Sequence, residues 1–142
     1  MDWRILRDAD EPGQIEDVSV LIVEDEPAIR DLWQRSLSAV GYQVTAVEDA
    51  QHALLALALF PYVALCDVHL PGSNGLWLAD QIRIVSPTTA IVLATADEHI
   101  PPIESLRPGV VAYLLKPFTL QELQAAVKAG VRWSARRRTM LP

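Results

Sequence analysis

The stretch Val18-Ser-Val-Leu-Ile-Val-Glu-Asp-Glu-Pro27 decides the fold. Its first six residues are apolar except Ser19, and four of them are valine or isoleucine. An unbroken run of this kind, rather than an alternating one, suits a strand covered on both faces. Three acids follow it, and then Pro27, whose fixed φ and missing N–H fit the first position of a helix. Ile29, Leu32, Trp33, Leu37 and Val40 recur at helical spacing, and Gly41 closes the segment. A buried strand that runs through a short acidic turn into a helix is the first half of a parallel βαβ unit.

The same alternation continues outward. Gln43–Val47 is a second strand candidate, and Ala50–Phe60 is a leucine- and alanine-rich helix stopped by Pro61. Tyr62–Cys66 is a third strand ending at Asp67, and Pro71-Gly-Ser-Asn-Gly75 is a loop leading to a helix through about Val85, ended by Ser86-Pro87. Ala90–Ala94 is a fourth strand with Thr95 at its end, and Val110–Leu115 a fifth, followed by Lys116-Pro117. Thr119 and Glu122 form a capping box for a last helix. Five strands alternating with helices predict an α/β fold, a doubly wound parallel sheet covered on both faces.

Composition narrows the function classes. The 142 residues are 51% hydrophobic and 21% charged, which fits one folded domain and excludes disorder as the overall state. The single cysteine, Cys66, rules out an internal disulfide and a cysteine-based zinc cluster. The longest apolar stretch, Ala53–Phe60, is too short to span a bilayer, and the start Met1-Asp-Trp-Arg4 lacks the order of a signal peptide. The expected location is cytoplasmic, with no membrane partner. Charge is uneven: residues 1–17 carry a net −4 and residues 128–142 a net +5 around an acidic body. That body makes nucleic acid an unlikely partner, since phosphate contacts need clustered lysine and arginine. The Arg136–Arg138 run reads as a solvated helix end whose cations oppose the macrodipole. The expected organisation is an acidic extension (1–17), one domain (18–135) and a basic tail (136–142).

In an open α/β sheet, ligands bind beyond the carboxyl ends of the strands. That edge would receive Glu24 and Asp25 after the first strand, Asp67 after the third, Thr95 after the fourth and Lys116 after the fifth. Three carboxylates make a hard, oxygen-rich site suited to Mg²⁺. Each residue alone has a plainer account: acids favour the start of a helix, and Asp67 suits a turn. Their coincidence at four strand ends is what a plainer account leaves unexplained. The histidines His52, His69 and His99 show no metal-ligand spacing.

The ordered set of Val20-Leu-Ile-Val-Glu-Asp-Glu26, Leu65-Cys-Asp-Val-His-Leu-Pro-Gly72 with Gly75, Leu93-Ala-Thr-Ala96 and Tyr113-Leu-Leu-Lys-Pro-Phe118 resembles the receiver domain of bacterial two-component response regulators, across about residues 18–135. The resemblance implies a flavodoxin-like sheet of strand order 2-1-3-4-5. It implies Asp67 as phosphoacceptor, and Glu24 and Asp25 holding Mg²⁺ with Asp67 and the backbone carbonyl of His69. Lys116 and Thr95 would contact the phosphoryl group, and Thr95 with Tyr113 would form the switch. The Lys116–Pro117 bond is expected to be cis. His69 and Asp97 would flank the water that hydrolyses the acyl phosphate. The implied phosphodonor is a sensor histidine kinase or a phosphotransfer protein, and the output is contact with a downstream protein.

Two readings from other classes stand beside this one. One is a flavodoxin-like small-ligand domain or a metal-dependent phosphotransferase, disfavoured because Glu24-Asp-Glu-Pro27 replaces a glycine-rich phosphate loop. The other is a receiver fragment of a longer regulator. Pro101, Pro102, Pro108 and Gly109 leave room for only a short helix between the last two strands. At about 100° per residue, Trp77 with Ile84, Leu55 with Leu59, and Trp133 fall off the core faces of their helices, which suggests a homodimer or partner surface.

Overall fold

The computed structural model describes residues 17–96 and 107–140. Strands β1 (Ser19–Val23), β2 (Gln43–Val47), β3 (Val63–Asp67), β4 (Ala90–Thr95) and β5 (Val110–Leu115) form one sheet in the order 2-1-3-4-5, every pair parallel. Helices α1 (Pro27–Val40), α2 (Ala50–Ala56), α3 (Gly75–Val85) and α4 (Leu120–Met140) lie on its two faces. This is the flavodoxin-like arrangement expected. A two-residue ladder of His69–Leu70 with Ser73–Asn74 bends the chain after β3.

Residue parity sorts the two cores. Val20, Ile22, Leu65, Val92 and Ala94 face one way, against Trp33 and Leu37 of α1 and Leu123, Val127 and Val131 of α4. Their chain neighbours Leu21, Val23, Ala64, Cys66, Ile91 and Leu93 face the other way, against Ala53 of α2 and Leu78, Ala79 and Ile82 of α3. Both faces are covered, so β1, β3 and β4 read as continuous apolar runs. Each fully buried leucine or isoleucine contributes roughly 1.5–3 kcal/mol.

The ends of the helices follow local chemistry. Pro27 opens α1, and Gly41, at φ 117°, caps it in the left-handed region with its N–H on the carbonyls of Leu37 and Ser38. Asp49 caps α2 by accepting from the His52 N–H at 2.8 Å. A turn of 3-10 helix, Leu57–Leu59, continues α2 to Phe60, so the helix predicted to Phe60 ends tighter than expected. The capping box of α4 forms as read: the Glu122 N–H donates to Thr119 Oγ1 at 3.0 Å, and the Thr119 N–H donates back to Glu122 Oε1 at 3.3 Å.

The structure departs from the sequence reading at three further places. The boundary expected at residue 135 falls inside α4, which runs on through Arg136–Arg138 to Met140. Arg138 is tied to the body by hydrogen bonds to the Phe60 carbonyl (2.7 Å) and Ser134 (3.1 Å), and lies 3.8 Å from the Tyr62 ring centroid. Trp133 is partly buried against the α1–α4 core, with the Arg137 guanidinium 4.6 Å from its ring, rather than pointing away. The third is in β5, where Ile91 pairs with Val110 but Val92 pairs with Ala112. Val111 is therefore an extra residue, and it shares a face with Ala112. Leu55, Leu59, Trp77 and Ile84 are exposed as anticipated. Trp3, Ile5, Leu6, His99, Asp97 and most of the proline-rich segment lie outside the described residues.

Candidate functional site

Hydrogen bonds that extend the ladders bring the strand ends level. The N–H of Glu24 donates to the Val47 carbonyl (3.0 Å), that of Val68 to Ala94 (2.8 Å), and that of Lys116 to Thr95 (2.7 Å). Glu24, Asp67, Thr95 and Lys116 thus meet at one edge of the sheet, and Asp25 joins them. Carboxylate oxygens of Glu24, Asp25 and Asp67 all lie within 4.8 Å of one another.

Burial differs among the three acids. Glu24 is 1% exposed, Asp67 is 6% exposed and Asp25 faces solvent. Lys116 Nζ donates to Glu24 Oε1 at 2.8 Å and to Asp67 Oδ2 at 3.4 Å. The remaining carboxylate oxygens take backbone donors: the Glu26 N–H reaches Glu24 Oε2 at 3.3 Å, and the His69 N–H reaches Asp67 Oδ1 at 3.1 Å. The hydrogen bond Asp25 shares with Glu24, partial burial and the neighbouring negative charge hold the Asp25 carboxyl above the usual carboxylate range. Burial disfavours the charge on Lys116, but the Glu24 hydrogen bond and the Asp67 charge outweigh it and raise its pKa. One lysine therefore faces three acids. Hard oxygen donors in excess of cations fit a divalent metal such as Mg²⁺.

Gly75, the first residue of α3, donates to the Val68 carbonyl at 2.7 Å. A Cβ there would stand 2.3 Å from the Asp67 carbonyl oxygen, so only glycine lets α3 start this close to Asp67. Asn74 caps the helix, accepting from the Trp77 N–H at 2.7 Å.

The extra residue in β5 has a consequence at the edge. It turns Tyr113 to the α2–α3 face of the sheet, opposite Leu93 and so on the same side as Thr95 two residues further along β4. The fully buried Thr95 and the partly buried Tyr113 are thereby brought diagonally adjacent. The Lys116–Pro117 bond is cis, as expected.

Sequence reasoning did not single out Arg30, whose guanidinium donates to the Glu24 carbonyl at 2.9 Å and the Asp25 carbonyl at 3.4 Å. Nor did it single out Trp33, whose ring lies 5.4 Å from Lys116 Nζ. Both sit on the first turns of α1 after the acidic turn, where a helical net drawn from the Glu24–Asp25 pair reaches them. His52, read without metal-ligand spacing, groups with Glu48 and Asp49 within 4.8 Å. That group is accounted for by the α2 cap and by the His52 Nδ1 contact with Asp49 at 2.7 Å: the capping N–H of His52, then its ring, lower the Asp49 pKa, and the Asp49 carboxylate raises that of His52.

A family model described as the response regulator receiver domain matches residues 20–128. The chain belongs to that family. The receiver is 37% identical over 115 residues to the uncharacterized transcriptional regulatory protein YkoG of Bacillus subtilis, covering 80% of this chain and 50% of that protein. It is 36% identical over 115 residues to the KDP operon transcriptional regulatory protein KdpE of Escherichia coli, covering 80% and 51%. The chain thus spans about half the length of the curated relatives it matches. Among solved structures, the signal receiver domain of an HD domain-containing protein from Pseudomonas fluorescens aligns with TM-score 0.80 at 28% identity, over 87% of this chain and 93% of that one. The response regulator TrrA from Thermotoga maritima, in complex with Mg²⁺–BeF, aligns with TM-score 0.72 at 30% identity, over 80% and 98%. Among the described residues no helix is long and apolar enough to cross a membrane.

Proposed function

We propose that Asp67 is the phosphoacceptor of this receiver. The observation that carries the reading is the Asp67 carboxylate, nearly buried at the end of β3, in reach of Lys116 and grouped with Glu24 and Asp25. One Asp67 oxygen attacks phosphorus, the bond from phosphorus to the donor nitrogen of a phosphohistidine breaks, and the imidazole leaves with a proton from solvent. The product is an acyl phosphate. Lys116 offsets charge that develops on the phosphoryl oxygens, and the backbone N–H of His69 keeps the carboxylate oriented. Glu24, Asp25 and Asp67, with the His69 carbonyl, would hold Mg²⁺, which supplies charge neutralisation at the transferring group. The enzymatic part is confined to the protein's own phosphorylation and dephosphorylation.

The donor in this reading is a sensor histidine kinase or a phosphotransfer protein in the cytoplasm, and the output is a protein contact, a homodimer included. Thr95 moving toward the phosphoryl group with Tyr113 beside it is the switch. The relatives named transcriptional regulators give no support to the expectation that nucleic acid is not a partner. Their length favours one further reading, in which this receiver is a piece of a longer regulator.

The test is intact mass after incubation with Mg²⁺ and a small acyl phosphate. A single Mg²⁺-dependent phosphoryl adduct is expected in the wild type and none in Asp67→Asn. An adduct that survives Asp67→Asn would place the acceptor elsewhere. Once phosphorylated, the protein should dephosphorylate at a rate altered several-fold by His69→Ala or Asp97→Ala, on the order of a single general acid–base or steric contribution at most. Unchanged lifetimes in both would remove those side chains from the hydrolytic path.

A further inference from the structure

We propose that Trp33 is a positioning residue for Lys116: its indole face holds the ammonium group beside Asp67, so phosphoryl transfer depends on an α1 side chain that touches no reacting atom. The inference rests on the reading of Asp67 as phosphoacceptor and adds to it a part that none of the strand-end motifs contains.

Trp33 lies two turns into α1 and is 4% exposed. Lys116 Nζ stands over its ring at 5.4 Å from the centroid, inside the range in which a cation is attracted by the negative π-face. Phe118 packs on the same indole, centroids 5.6 Å apart and tilted by 32°. The ring thus meets the chain on both sides of Pro117, at Lys116 and at Phe118. The lysine side chain is only 19% exposed, which strengthens an electrostatic contact by excluding water from it.

Three groups hold the ammonium: Glu24 at 2.8 Å, Asp67 at 3.4 Å and the indole. The two carboxylates are the groups that phosphoryl transfer occupies, since one becomes the acyl phosphate and both belong to the acidic cluster. Whatever pull they lose to other partners is lost to Lys116. The indole is neutral, and it meets the cluster through Lys116 Nζ, the cation the two carboxylates share. Its attraction for Nζ draws on no charge that the transfer consumes, so it holds a flexible four-carbon side chain back from solvent when the carboxylates are engaged. A tryptophan that only filled space between α1 and α4 would need no particular relation to Lys116.

The experiment compares the full chain with Trp33→Leu, Trp33→Phe, Lys116→Ala and the Trp33→Leu/Lys116→Ala double variant. The first readout is the rate of phosphorylation by acetyl phosphate at saturating Mg²⁺, followed by intact mass. Trp33→Leu should slow phosphorylation about fivefold, which is about 1 kcal/mol at 1.36 kcal/mol per tenfold. Trp33→Phe, which keeps a smaller aromatic face, should recover part of the loss. In the Lys116→Ala background Trp33→Leu should change nothing. An equal loss in both backgrounds, or none in either, overturns the inference. The second readout needs neither metal nor phosphoryl group: the Lys116 Hε resonances should lie upfield in the wild type from the indole ring current and move back in Trp33→Leu. Lys116 Hε signals at their ordinary position in the wild type overturn it as well, even where the residual rate of Lys116→Ala is too slow to follow. A wild type that forms no adduct while showing the ring-current shift would instead sink the phosphoacceptor reading alone.

Discussion

Lys116→Ala is expected to destabilise the metal-free protein by about 2 kcal/mol and to slow phosphorylation by about a hundredfold. The stability loss comes from Glu24. Its side chain is 1% exposed and its closest cation is Lys116 Nζ at 2.8 Å, so removing the lysine leaves a carboxylate in the interior with a backbone N–H at 3.3 Å as compensation. Breaking a buried pair from one side usually costs more, but the lysine tip is partly wet, which lowers the figure. The rate loss comes from a missing cation at the developing phosphoryl charge. The pH dependence follows from the raised Lys116 pKa, in which burial is outweighed by the Glu24 hydrogen bond and the Asp67 charge. A pKa raised on folding contributes stability that is fully present below the unfolded value and is lost as pH rises through the folded one. The deficit of the variant should therefore be constant through neutral pH and shrink in strong alkali as Lys116 of the wild type loses its proton. Mg²⁺ should narrow it, since the acidic cluster regains a cation, without restoring the rate. Urea denaturation with and without Mg²⁺ measures the first effect, and adduct formation the second. A variant within about 0.5 kcal/mol of wild type would show that Glu24 is not held in the interior by Lys116.

Much of this site is legible in the sequence because the parallel sheet does the assembling. Once Val18–Val23, Tyr62–Cys66, Ala90–Ala94 and Val110–Leu115 are read as parallel strands, Glu24, Asp67, Thr95 and Lys116 must share an edge. Turn and cap chemistry is equally local: Pro27, Gly41 and the Thr119–Glu122 pair do what their side chains allow at the positions they occupy. What escapes the sequence is whatever depends on register or on the helix net across elements. The extra residue at Val111 is invisible in the apolar run Val110-Val-Ala112, yet it decides which face Tyr113 takes. Trp33 scores as one more apolar residue on the α1 stripe, because its contact with Lys116 joins residues far apart in the chain. Helical angle alone puts Trp133 on the outer side, whereas a wide indole on the flank of α4 reaches the core and is covered by Arg137. The length of α4 escapes for a different reason: a basic run reads as solvated tail until Arg138 is seen bound to the Phe60 carbonyl and stacked on Tyr62.

Gly75→Ala is expected to cost about 3 kcal/mol, roughly 10 °C in Tm, although alanine is the better helix former. The added Cβ would stand 2.3 Å from the Asp67 carbonyl oxygen, 2.8 Å from Val68 Cα and 3.0 Å from the Asp67 carbonyl carbon. All three are backbone atoms, so no rotamer change relieves the contact. Either α3 retreats from β3, which breaks the 2.7 Å hydrogen bond from Gly75 to Val68 and loosens Leu78, Ala79 and Ile82 in the core, or the end of β3 moves. The second response carries Asp67 with it. Its carboxylate is held by Lys116 at 3.4 Å and the His69 N–H at 3.1 Å, distances that a shift of about 1 Å would disrupt, and a misplacement of that size can cost a hundredfold in rate. Thermal denaturation and the rate of adduct formation separate the two responses. A large fall in Tm with a near-normal rate at low temperature would mean that α3 gives way, while a loss of both would mean that β3 does. A variant as stable as wild type would show that α3 has room beside Asp67 and that the glycine is there for another reason.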